Sequence, residues 1–219
     1  MTDGGGSFRL AALRCPACGG DLDGLDSDRV FGCRPCARAW SVEPDGLRDS
    51  PLAAWTSDAA EAPLCLPIWC FELEAVVVLP PKSRSSLPGG EPPAERIVPF
   101  PHPRVYVTAF ALQGRRRFGD PGLHLTRRVV EPRPAAGPPP PLRGAVLARS
   151  AAEQLLPATV LAVVDAREDV AGGRVDLQVT SAVLALVPFV RLADGGVQEP
   201  GDGIKYPPAA LPDLAALRS

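Results

Sequence analysis

Apolar residues recur along this chain mostly with a period of two, and prolines interrupt the pattern. Within residues 64–79, Trp69, Phe71, Leu73 and Ala75 alternate with Glu72 and Glu74. That spacing predicts a strand with one apolar and one acidic face. Further β-prone runs at 104–112, 123–130 and 174–192 predict three more strands, and shorter ones at 29–32 and 39–42 predict a small N-terminal pair. Segment 114–122 reads as a turn. Ser150-Ala151-Ala152-Glu153 has capping-box spacing, which predicts a short helix over 151–156, with Pro157 opening a second toward Asp165. Proline-rich stretches at 80–103 and 132–141 predict an exposed loop and an extended connection.

Candidate chemistry is concentrated near the N-terminus. Cys15-Pro16-Ala17-Cys18 and Cys33-Arg34-Pro35-Cys36 have the spacing of a structural site in which two turns each give two thiolates to one tetrahedral metal ion. Gly19 and Gly20 follow the first pair, where such a turn requires a residue free to take positive φ. Zn²⁺ is the expected ion, with Cys15, Cys18, Cys33 and Cys36 as ligands. Two disulfides, a redox dithiol and a four-thiolate iron site are the competing readings. The start Met1-Thr2-Asp3-Gly4 has neither a basic stretch nor an apolar one, so a reducing, cytoplasmic setting is expected and disulfides are disfavoured.

Residues 10–47 resemble the zinc-ribbon superfamily. The resemblance rests on Leu13-Arg14-Cys15-Pro16-Ala17-Cys18-Gly19-Gly20-Asp21-Leu22, on Cys33 and Cys36, and on Trp40, Val42 and Asp45-Gly46-Leu47. In this detail it is similar to ribbons of uncharacterised bacterial proteins and, more weakly, to ribbon subunits that activate methyltransferases. It covers under a quarter of the chain and implies the four metal ligands, nothing more. No methyltransferase or helicase motif follows downstream.

Composition bounds the remainder. With 219 residues and 46% hydrophobic content, the chain can bury a further core behind the ribbon. No apolar run has the length to span a bilayer, and the longest, 182–190, contains Pro188. The expected organisation is a flexible N-terminus (1–9), a zinc ribbon (10–48), a linker (49–63) and a mainly β domain with a short helical insert (64–219), an α+β architecture.

Charge is uneven. Residues 82–133 hold ten basic and four acidic side chains, while 1–81 hold six and twelve. Arg115, Arg116 and Arg117 with Arg127 and Arg128 become one anion or nucleic-acid contact if the turn between them folds as a hairpin. The competing reading is a solvated surface. Cys65 and Cys70 lie five apart on a strand and so point to opposite faces, which makes them poor partners for a shared ion. His102 and His124 adjoin no nucleophile in sequence, and no phosphate loop, dinucleotide fingerprint or nucleophile elbow occurs. The leading functional expectation is a non-enzymatic interaction or assembly protein with a protein partner. A nucleic-acid-binding ribbon protein is the first alternative, and an enzyme with an unrecognised site in the β domain is the second.

Overall fold

The two longest apolar runs become the two central strands. A computed structural model describes residues 14–56, 63–81, 94–201 and 203–212. The expected flexible segment 1–9, residues 57–62 of the expected linker and residues 82–93 of the proline-rich loop lie outside the described residues.

Strands β1 (Val30–Cys33), β2 (Arg38–Glu43) and β3 (Gly46–Ala54) form an antiparallel meander. β4 (Leu64–Leu79) pairs along nearly its whole length with β7 (Arg174–Arg191). β5 (Arg96–Pro99) and β6 (Arg104–Thr108) lie antiparallel on the other edge of β4. The end of β3 joins β7 in parallel, Leu52 opposite Leu184, so the meander and the long pair form one mixed sheet. β8 (Val197–Gln198) and β9 (Lys205–Tyr206) extend it beyond β7. Residues 49–54, expected as linker, are therefore the second half of a strand that belongs to both parts.

The alternation read from β4 sets its two faces. Trp69, Phe71 and Leu73 are buried in one apolar cluster, with Ala75 packed against it, while Glu72 and Glu74 are exposed. Cys65 packs against this cluster and Cys70 lies buried in the cluster on the other face, as a period of two requires. Strand register shifts once, between Glu72 and Leu73, where β7 carries the extra Thr180 and its hydroxyl donates to the Glu72 carbonyl at 3.1 Å.

Helices cover both faces. On the first lies α3 (Arg149–Val164), with Ala152, Leu156, Val160, Val163 and Val164 buried. The expected break at Pro157 does not occur. Pro157 sits on the exposed side, so the hydrogen bond it removes is one that solvent can replace. On the second face lie α1 (Arg115–Phe118) and α2 (Pro121–Arg127), where a turn and a strand were expected. Asp120 caps α2 by accepting from the Leu123 N–H at 3.1 Å, and Pro121 occupies the first helical position. Gly122 lies so close to β6 that a Cβ there would fall 2.6 Å from the Tyr106 carbonyl oxygen.

Candidate metal centre

The first knuckle closes on itself through Cys15 N–H to Gly20 O at 2.7 Å and Gly19 N–H to Cys15 O at 2.8 Å, with Gly19 at φ +72°. Cys33 ends β1, and Cys36 lies in the turn that returns the chain to β2. These two turns bring all four Sγ atoms within 4.8 Å of one another. Cys15 lies 3.5 Å from Cys36, and Cys18 lies 3.4 Å from Cys33. Both of these contacts run between the two turns, and all six cysteines of the chain are free. A tetrahedral ion with metal–sulfur bonds of about 2.3 Å needs sulfurs about 3.8 Å apart, so the donor set fits such an ion with small adjustments.

The surroundings treat the four sulfurs differently. Cys15 and Cys33 are buried, Cys36 is half-buried and Cys18 is exposed. Leu22, Phe31 and Trp40 complete a small apolar cluster around the buried pair. Burial raises the Cys15 pKa, but the Cys18 and Ala17 backbone N–H groups and the Cys36 and Cys33 thiols outweigh it and hold Cys15 down at about 6. Burial, reinforced by the neighbouring thiols, pushes Cys33 up to about 12 and raises Cys36. Holding a cation as thiolates therefore requires Cys33 and Cys36 to give up their protons.

The basic residues singled out in sequence are placed differently. Because 114–122 is not a hairpin turn, the arginines lie on two short helices or, for Arg128, directly after the second, and most of them bond within the chain. Arg115 pairs with Asp120 at 3.1 Å, and Arg117 stacks 5.3 Å from the Phe118 ring centroid. Arg127 donates to the Ala162 carbonyl at 2.7 Å, and Arg128 donates to the Pro200 and Gly201 carbonyls at 3.2 and 2.5 Å. Near the cysteines, Arg38 pairs with Asp49 across β2 and β3.

A second polar cluster escaped the sequence reading. His124 Nδ1 hydrogen-bonds the Glu199 carboxylate, whose side chain has no solvent exposure. Tyr206 donates to the same carboxylate at 2.6 Å and the Ile204 N–H at 3.4 Å. Burial, with the Glu199 charge, pushes the Tyr206 phenol far up, which keeps it a donor. His102 instead packs edge-on against Phe100, and burial lowers its pKa with help from the Arg167 charge. A polar recess of about 520 Å³ lies elsewhere, against Glu43, Asp45, Arg48, Asp49 and Ser150.

Comparison with protein-family models, curated proteins and solved structures returned no match. Among the described residues, no helix is long and apolar enough to cross a membrane.

Proposed function

We propose that this chain is a zinc-stabilised, non-enzymatic interaction or assembly component of a reducing compartment. The supporting observation is the closed donor set: four sulfurs from two turns, within 4.8 Å of one another. Four thiolates fill the tetrahedral preference of Zn²⁺, so the ion has no open position for water or substrate and its contribution is to fold the module around it. At the end of β2 away from the Cys33–Cys36 turn, Val42 and Leu47 face each other across β2 and β3 and are 38% and 42% exposed. They give the tip of the meander an apolar contact surface for a protein partner. The nucleic-acid alternative draws less support, because Arg115, Arg117, Arg127 and Arg128 are engaged within the chain.

Elemental analysis of the purified protein is expected to give one zinc per chain. Cys15, Cys18, Cys33 and Cys36 should resist thiol reagents until a chelator is added. A folded, metal-free protein with four freely titrating thiols in this segment would overturn the metal reading. Cross-linking in the native host should recover a stoichiometric partner, and Val42→Ser with Leu47→Ser should weaken its capture. A monomer without a partner that turns over a small molecule would overturn the non-enzymatic reading.

A further inference from the structure

The metal centre has an outer partner that the four-cysteine motif does not specify. Trp40 lies in the middle of β2, opposite Phe31 on β1 and Asp49 on β3. Only 8% of its surface is exposed. An indole N–H is a donor without acceptor capacity, and a buried one requires an acceptor. The Trp40 Nε1–H points at Cys15 Sγ, 3.2 Å away. Its register within the meander fixes that direction, since Phe31 and Trp40 belong to the cluster that encloses Cys15 and Cys33.

We infer that Trp40 is a positioning residue of the metal centre, its indole N–H donating to the Cys15 thiolate and orienting that sulfur toward a divalent cation. This inference rests on the metal reading given above. Four thiolates bring twice the charge of the cation they surround, and each donor to a sulfur spreads part of the excess. Backbone N–H groups supply such donors wherever a Cys-x-x-Cys turn forms. Here a side chain of the adjoining strand adds a further donor, the Trp40 indole. It links the ligand set to the meander, because displacing the indole moves both Cys15 and the β2 backbone. Outer-sphere partners of this kind commonly contribute 10- to 100-fold in metal affinity.

The test replaces Trp40 by Phe, which keeps an aromatic ring in the cluster and removes the N–H. Competition of the full-length chain against a chelator, with Zn²⁺ and separately with Co²⁺, should show affinity falling by about 10-fold or more in W40F. The thiolate-to-cobalt charge-transfer bands should shift as well, a change that loss of packing alone would not produce. Equal affinities and superimposable cobalt spectra would overturn the inference while leaving the metal reading intact. If the wild-type chain binds neither ion, both fail. Should W40F not fold, the wild-type chain loaded with NMR-active cadmium decides. One of the three indole N–H resonances should then respond to the cadmium nucleus across the hydrogen bond, and no responding indole would overturn the inference.

Discussion

Glu199 is an ionisable side chain sealed from solvent, and its carboxylate is balanced by a histidine, a phenol and a backbone N–H. A buried charge of this kind contributes little net stability while its partners are in place, and becomes costly when one is removed. The cluster ties α2 to the β8–β9 segment, and Arg128 reinforces the tie through the Pro200 and Gly201 carbonyls. Glu199→Ala leaves the Tyr206 hydroxyl without its acceptor and His124 Nδ1 without its partner, and should lower the unfolding free energy in urea by roughly 3 kcal/mol. Tyr206→Phe removes one donor and should cost about 1 kcal/mol. A loss below about 0.5 kcal/mol for Glu199→Ala, within the range of ordinary surface substitutions, would show that the contacts contribute no stability. Sequence held no sign of this cluster, since His124 and Glu199 are 75 positions apart and converge only once the tail has folded back. The cysteine cluster was legible for the opposite reason: each Cys-x-x-Cys is local, and a single hairpin joins the two turns.

At the scale of elements, the N-terminus of α3 shows how a strand can replace a missing cap. Ala148 stands at the cap position and has no side-chain acceptor. Two side chains of β2 take its place. Ser41 Oγ accepts the Arg149 N–H at 2.8 Å and Glu43 Oε1 accepts the Ser150 N–H at 3.1 Å. The Ser150 and Ser41 hydroxyls also donate to Glu43. Burial opposes the Glu43 charge, yet the Ser150 and Ser41 hydroxyls, the Ser150 N–H and the Arg48 charge outweigh it and hold the carboxyl below its usual range. A carboxyl depressed in the folded state adds stability above its unfolded pKa, near 4.3, and that contribution disappears as pH falls through the folded value. Glu43→Ala is therefore expected to cost about 1–2 kcal/mol at neutral pH. Glu43→Gln should flatten the loss of stability below about pH 4.5, measured as midpoint against pH. An unchanged acid slope would mean that the cap is not charged. The same region explains where the sequence misled. Ser150 and Glu153 have capping-box spacing, but Ser150 lies inside the helix, and Glu153 pairs with Arg149 and Arg48. The true cap is 107 positions upstream of Ser150. For α2 the signal was present, Asp120 before Pro121, but the apolar spacing of Leu123, Leu125 and Val129 imitates a strand.

For the whole molecule, the four-cysteine meander and the rest of the sheet share one core. Val30 of β1, Ala39 of β2 and Leu52 of β3 lie in the same buried cluster as Trp69, Leu156 and Leu184. The Asp28 carboxylate accepts the Gly144 N–H at 3.0 Å, and the Arg29 and Val30 N–H groups donate to the Ala145 carbonyl at 2.8 and 3.1 Å. Arg149 reaches back to the Asp49 carbonyl and the Ser50 hydroxyl. The linker reading of 49–63 implied two separate cores, so that Cys18→Ala would destabilise the ribbon and leave the β domain partly folded. Continuity of β3 argues for a single cooperative unit instead. Structural zinc contributes on the order of 10 kcal/mol in small metal-folded modules, comparable with the 5–15 kcal/mol that stabilises a typical domain. Cys18→Ala, or a chelator, should therefore lower the melting temperature of the entire chain. Far-UV signal from the β4–β7 pair and near-UV signal from Trp69 should be lost in the same transition as the signal from Trp40. Two separated transitions, with Trp69 retaining its signal after Trp40 has lost its own, would show that β3 transmits little of the metal's binding energy and that the shared core is held by the sheet alone.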